Sequence, residues 1–295
     1  MDFGRVDSTD GIDLSAPPVD PRVAGLLGAR GGGGLRVYTG APLWAERSWV
    51  GGFYPPGTPP GGFLAAYARQ LGAIEHNGTF HAIPSPAQTA AWAAQLPAGF
   101  RFCAKAPRAI THAADWQGAV GPFRAAMEPL RPFLGPVFFQ FPPEIGPDDL
   151  DGVRARVEAL AGLPRAVELR HPGWFHRRRL IGRAWGWLSE EGHTAVITDT
   201  PGHREVCHGS LTSPVLFLRL LALGLPSDAG RLVAWAAEIE RLRALGLQEA
   251  YVFAHLPGFT GVPALLLQLH AALGSQLGIA LPQAWEAGPQ LRLLG

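Results

Sequence analysis

From residue 35 onward, eight short apolar runs alternate with stretches of helical periodicity, and this alternation constrains the fold more than any other feature of the chain. The runs cover residues 35–39, 73–77, 100–105, 136–141, 165–170, 194–199, 215–220 and 250–255. Each is too short for a helix and of ordinary length for a strand. The helical stretches fall around 63–71, 86–96, 119–133, 148–161, 178–191, 232–245 and 263–273. Strands joined by helical crossovers imply a parallel sheet. Runs as continuously apolar as Pro136-Val137-Phe138-Phe139 suit a sheet covered on its outer face. Eight such units close best as a barrel, so the expected fold is α/β, a single-domain (β/α)8 TIM-type barrel. The 295 residues are enough, since barrels of about 250 residues form one domain. An open doubly wound sheet is the alternative. No Gly-x-Gly-x-x-Gly follows an expected strand, which weakens a dinucleotide-binding version of it.

Local signals agree with this pattern. Pro147 stands at a first helical position, with Asp148 and Asp149 behind it in the positive-dipole first turn. Gly246 follows a strongly helical run and suits its C-terminal cap. Pro122 and Pro129 must kink or split the third helical stretch. The link 201–214 is too short for a full helix and is the weakest of the units. Residues 1–34 read as a flexible N-terminal tail ending in the spacer Gly31-Gly32-Gly33-Gly34, residues 35–282 as the barrel and 283–295 as a C-terminal tail.

Composition narrows the function classes. Hydrophobic residues make up 47% and charged residues 17%, as in a globular chain. Lys plus Arg is 25 against 24 for Asp plus Glu, a net charge of +1, so no face-wide basic excess exists to drive nucleic-acid binding. The one basic run, His176-Arg177-Arg178-Arg179, reads as a solvated helix start. Cys103 and Cys207 have neither zinc nor redox spacing and imply no disulfide framework. Without a signal-like segment or an apolar run of about 18 residues, the expectation is a cytoplasmic protein with no membrane association. No cofactor is implied, and the expected partner is a small-molecule ligand.

Polar residues gather at the ends of the expected strands, where barrel active sites are built. Glu75, Asn77 and Thr79 end or follow the second strand; Lys105, Arg108 and His112 the third; Gln140 the fourth; Glu168, Arg170, His171 and Trp174 the fifth. Asp199, Arg219 and His255 close the last three. Glu168 and Arg170 are two apart and share one strand face, while Val167 and Leu169 take the other. Charges on the outer face would meet helices, so this pair is expected inside, as are the pairs Glu75 and Asn77, and Cys103 and Lys105. Several charges then converge in a partly desolvated cavity, the setting that perturbs pKa values.

These segments also carry a resemblance. Glu75-His76-Asn77-Gly78-Thr79-Phe80 resembles a glutamate–asparagine–threonine–phenylalanine signature of the YecE-like family, also called domain of unknown function 72. Lys105-Ala106-Pro107-Arg108-Ala109-Ile110-Thr111-His112 is similar to its lysine–proline–arginine–threonine–histidine motif. The segments from Leu134 to Pro143 and from Glu168 to Trp174 resemble two more, in matching order and spacing. The resemblance implies a TIM-type barrel with an unassigned activity. The chain departs from the pattern at three places. Thr39-Gly40-Ala41 replaces a serine–glycine–tryptophan turn, Arg219 lacks a following histidine–glycine pair, and Ala254-His255 stands where paired asparagines are usual. The departures open two readings for those contacts, a changed substrate or a lost activity.

Several chemistries fit these residues. Lys105, Arg108, Arg170 and Arg219 can grip a phosphate or carboxylate, or the arginines can balance Glu75, Glu168 and Asp199 in a structural ion-pair network. Lys105 is a possible Schiff-base nucleophile. Glu75 and Glu168 are a possible glycosidase pair if their carboxyls lie about 5–5.5 Å apart. A metal has possible ligands in Glu75, Glu168, Asp199, His171 and His255, but no metal spacing motif supports it, and none is assigned. His112 and His171 suit proton transfer or a local loop bond. Trp174, Trp44 and Phe80 suit a stacking wall or packing. The expected function is an enzyme acting on a small anionic, phosphorylated or carboxylated, metabolite by general acid/base chemistry. In that reading Lys105, Arg108 and Arg170 hold the anion, Glu75 or Glu168 is the base, and His171 or His112 moves a proton. The rival is a non-catalytic ligand- or nucleic-acid-associated binding module.

Overall fold

A computed structural model describes residues 3–28 and 34–281. Each expected apolar run forms a strand: β1 (Arg36–Gly40), β2 (Ala73–His76), β3 (Arg101–Ala104), β4 (Val137–Gln140) and β5 (Arg165–Glu168). After two short strands, β6 (Phe175–His176) and β7 (Arg179–Leu180), come β8 (Thr194–Asp199), β9 (Val215–Leu221) and β10 (Glu249–His255). Six of them pair in parallel in the order β1-β10-β9-β8-β5-β4, and β2 pairs in parallel with β3.

Among the described residues, the continuous eight-strand ladder of a closed barrel is not found. Only isolated bridges, Phe102 to Leu134 and Lys105 to Phe138, tie β3 to β4. Between β1 and β2 the Glu75 amide donates to the Ala41 carbonyl at 3.1 Å. Strands β2, β3 and β4 are each four residues long, which leaves few backbone groups to extend a ladder across these two seams. The observed architecture is therefore an α/β fold around a parallel central sheet, with two seams where pairing thins to isolated contacts.

Helices cover the sheet's outer face much as the periodicity predicts. The third helical stretch splits at its second proline: α6 (Gln117–Met127) accommodates Pro122, and a tighter 3-10 segment, Glu128–Phe133, follows. Pro147 opens a 3-10 turn that leads into α7 (Leu150–Glu158). The long helix α9 (Ser227–Leu245) ends at Gly246, whose φ of 110° lies in the left-handed region open to glycine. The remaining long helices are α8 (Gly182–Glu190) and α10 (Val262–Leu277).

Two expectations need correction. The run His176 to Arg179 is no helix start but the turn of the antiparallel β6–β7 hairpin, with Arg177 and Arg178 at φ of 49° and 56°. There the Arg178 guanidinium binds the carbonyls of Cys207 (3.0 Å) and Ser15 (2.9 Å). Residues 3–28, expected as part of a flexible tail, pack on the body. The helix α1 (Arg22–Gly28) buries Val23 and Leu27, and Asp20 accepts from Ser210 at 2.6 Å. Arg22 lies over the Trp185 ring of α8, while Leu27 lies beside Gly246 at the end of α9. The link 201–214 forms no helix, and α1 packs against α8 and α9 instead. The spacer glycines 31–33 and the expected tail 283–295 lie outside the described residues.

Candidate functional site

Strand alternation builds the site in layers. Enclosed by the strands is a second core of apolar side chains that includes Tyr38, Ala73, Cys103, Phe138, Ala166, Val196, Phe217 and Phe253. Two residues further along each strand, on the same face, stand Gly40, Glu75, Lys105, Gln140, Glu168, Thr198, Arg219 and His255. Apart from the glycine, every member of this second layer is polar, and every polar one is buried. An apolar floor thus carries a ring of polar groups at the C-terminal ends of the strands.

Arg219 is the centre of the ring. Its Nε and Nη2 donate to the two oxygens of Glu75 at 2.8 and 3.0 Å, and its Nη1 donates to Glu168 at 2.9 Å. All three side chains are at most 1% exposed. Glu168 also accepts from Arg170 Nε (2.8 Å), Thr198 (3.1 Å) and Gln140 Nε2 (2.8 Å). The Gln140 carbonyl in turn accepts from Lys105 Nζ at 2.8 Å. Glu75 accepts from Asn77 Nδ2 at 2.9 Å and meets His255 Nε2 at 3.2 Å.

Burial alone pushes the Glu75 carboxyl up, but Arg219 and then His255 outweigh it and hold it well below the usual carboxylate range. Glu168 is lowered in the same way, against burial, by Arg170 and Arg219. Both carboxylates are therefore ionised at neutral pH. A glycosidase pair would need one of them protonated as acid, and an ionised glutamate held by arginine is a weak base. Lys105 moves the other way. Desolvation, then the charge of Arg219, brings its ammonium down to about 7 against the partial opposition of Glu168 and Glu75. Its Nζ sits 4.0 Å from the centre of the Phe80 ring.

Among the described residues, the ring leaves buried polar atoms without partners: Asn77 Oδ1, Arg170 Nη2 and His255 Nδ1. Such atoms are uncommon in folded proteins. Beside the ring lies a cavity of about 180 Å³ that His255 lines together with Phe3, Leu221, Leu256 and Phe259. Phe3 forms its boundary, lying 4.0 Å from the Arg170 guanidinium and stacked on His203 at 4.6 Å. Phe3 is seated by Gly4, whose carbonyl accepts from Thr200 Oγ1 and the Gly202 amide, both at 2.9 Å.

Of the residues singled out in the sequence, the fold brings together Glu75, Asn77, Lys105, Gln140, Glu168, Arg170 and Arg219. The others fall elsewhere. Asp199 occupies the outer face of β8 and binds Arg204, Arg231 (3.2 Å) and Trp235 of α9 (2.7 Å), so it belongs to a separate ion-pair cluster. Thr198, its neighbour, is the residue that faces the ring. His171 caps a turn, its Nδ1 accepting from the Gly173 amide at 3.0 Å, and Trp174 is a fully buried core residue bound to the Ile145 carbonyl. Thr79 ties the backbone carbonyls of His76 and Lys105 together. Arg108 is exposed at the start of a short helix, Arg108–Thr111. His112 stacks edge-on against Phe80 at 5.3 Å, and burial followed by the charges of Arg108 and Lys105 lowers it to about 4. Its ring is held uncharged at neutral pH. Among the described residues, His, Cys, Asp and Glu side chains form no group of three that could hold a metal. His255, weighed in the sequence only as a metal ligand, is a member of the ring. Its parity with Phe253 was the available signal.

Comparison with known proteins adds a family. A model described as "Protein of unknown function DUF72" matches residues 38–288. The UPF0759 protein YecE of Escherichia coli K12 is 32% identical over 168 residues, which are 56% of this chain and 59% of that protein. The YecE protein of Escherichia coli O157:H7 matches to the same extent. The match thus spans little more than half the length of these relatives. Two crystal structures of a DUF72 family protein from Enterococcus faecalis V583 superpose with TM-scores of 0.65 and 0.64 at 18% and 17% identity. They cover 81% and 83% of this chain, and 96% and 98% of their own length. At that identity the likeness is one of fold.

Proposed function

The chain belongs to the DUF72 family of proteins of unknown function, and from that starting point we propose that it is an enzyme that binds a small anionic metabolite at the polar ring and moves a proton with Lys105. The proposal takes the eight principal strands as one (β/α)8 barrel of residues 35–282, its two thin seams bridged by isolated backbone contacts, with the ring at its C-terminal mouth. Barrel active sites are built at that end.

One observation carries the reading. Arg219 and Arg170 together balance the two carboxylates, and the ring still holds donors with hydrogen-bonding capacity left. Lys105 has a single hydrogen-bond acceptor, Gln140, for its three N–H groups, and Arg170 engages Glu168 through Nε alone. Fixed donors of this kind grip a phosphate or carboxylate. A lysine near neutrality beside them exchanges protons readily at physiological pH. The sequence-based assignment of Glu75 or Glu168 as base therefore passes to Lys105, and Arg108, His112 and His171 lose their roles.

The test is thermal unfolding of the full chain against phosphorylated, carboxylated and neutral metabolites. A ligand at about 100 times its dissociation constant adds roughly 2.7 kcal/mol, a shift of a few degrees for a chain of this size. One anion class is expected to stabilise the wild type and to lose that effect in Lys105→Met. If no anion shifts the wild type, the ring is a structural ion-pair network and the proposal fails.

A further inference from the structure

We infer that the ligand of this ring is a hydroxylated anion: a small molecule that offers an anionic group to Lys105 and Arg170 and a hydroxyl to Asn77 and His255. The inference rests on the proposed function and specifies its substrate class.

The argument starts from Glu75. Locked as a carboxylate by Arg219, it can only accept hydrogen bonds. It therefore fixes the orientation of both neighbours that reach it. Asn77 must turn its amide nitrogen toward Glu75 Oε1, which leaves its carbonyl oxygen pointing elsewhere. His255 must present Nε2–H to Glu75 Oε2, which leaves Nδ1 as the unprotonated acceptor of a neutral ring. These two acceptors, Asn77 Oδ1 and His255 Nδ1, are buried and unpartnered.

Glu168 and Gln140 organise the opposite polarity. They engage Arg170 Nε and one Lys105 proton, leaving Arg170 Nη2 and the remaining Lys105 protons as donors. The ring thus offers donors on its Glu168 side and acceptors on its Glu75 side, with Arg219 between. A ligand bearing only acceptor oxygens, such as acetate or inorganic phosphate, meets the first half and leaves the second unpaired. A hydroxyl supplies the missing donor. The cavity at the His255 end of the ring, lined by Leu221, Leu256 and Phe259, has room for the carbon frame of a ligand held there.

Calorimetric titration of the full chain with matched ligand pairs tests this. Lactate is compared with propionate, and glycerol 3-phosphate with propyl phosphate, each pair differing in hydroxyl content on one anionic scaffold. The hydroxylated member is expected to bind at least about tenfold tighter, because a site built for a hydroxyl leaves buried acceptors unpaired without it. Asn77→Leu and His255→Phe are expected to shrink that ratio toward one while the hydroxyl-free anion still binds. The wild-type ratio decides the matter even where a variant fails to fold. Equal affinity within both pairs overturns the inference and leaves the anion-binding enzyme standing. No binding of any member overturns both.

Discussion

A fully buried arginine is costly to desolvate, by several kcal/mol per ion, and Arg219 is tolerated because two carboxylates and five hydrogen-bonding neighbours of those carboxylates close the network around it. The same enclosure explains Lys105, which has only a neutral amide as its direct partner. Its depressed value has a stability consequence. Between about 7, where the folded chain releases the Lys105 proton, and 10.5, where the unfolded chain does, the unfolded state binds one more proton. Stability therefore rises with pH across that window, by at most about 1.4 kcal/mol per pH unit, and the gain is lost as pH falls to about 7. Urea unfolding of wild type and Lys105→Met from pH 6 to 9 is expected to give curves that run parallel below about 7 and diverge above it in favour of the wild type. Parallel curves throughout would mean that Lys105 titrates normally.

At the scale of elements, one crossover has no helix and a piece from elsewhere packs beside it. The link 201–214 carries Cys207, His208, Ser210 and Leu211 into the interior as loop, and α1 packs against α8 and α9. Leu27→Ala is accordingly expected to cost about 2–5 kcal/mol, since Leu27 has no exposed surface, while the half-buried Leu26→Ala costs less. Urea midpoints of the two variants measure it, and an unchanged midpoint for Leu27→Ala would return the segment to the status of a detachable tail. The sequence could not reveal this docking. Residues 1–34 show no sustained periodicity, and α1 is only seven residues long. Its partners lie about 150 or more positions away, and a pattern read within one window is blind to them. The basic run failed for a related reason. Arg177 and Arg178 both have positive φ, Arg178 is held by the distant carbonyls of Ser15 and Cys207, and no local preference predicts that conformation.

For the whole molecule, the seams decide how the strands enclose the ring. At the β1–β2 seam, a Cβ on Gly40 would lie 2.3 Å from the Ala73 carbonyl oxygen and 2.9 Å from the Phe253 ring, so the two strands approach more closely than any side chain allows. Gly40→Ala must push β2 outward and is expected to cost about 1–3 kcal/mol. Gly72→Ala, whose Cβ would meet Tyr38 at an ordinary 3.5 Å, is the control. Denaturation midpoints compare them, and equal losses would show that close approach at the seam is not what Gly40 provides.

What the sequence determined by itself is the set of principal strands and their inward faces. Period-two alternation and run length are local properties, and they place Glu75, Lys105, Gln140, Glu168, Arg170 and Arg219 at strand ends with matching parity. Alternation says nothing where both faces of a strand are buried. Thr198 and Asp199 both read as polar strand ends in a fully buried run, and only the position of α9, with Arg231 and Trp235 waiting on the outer side, sent Asp199 away from the ring. Tertiary structure likewise decided the pairing of charges. Arg219 meets Glu75 across 144 positions and Glu168 across 51. That meeting keeps both carboxylates charged and leaves Lys105 as the group near neutrality, because charge and burial at a site are set by what the whole fold brings there.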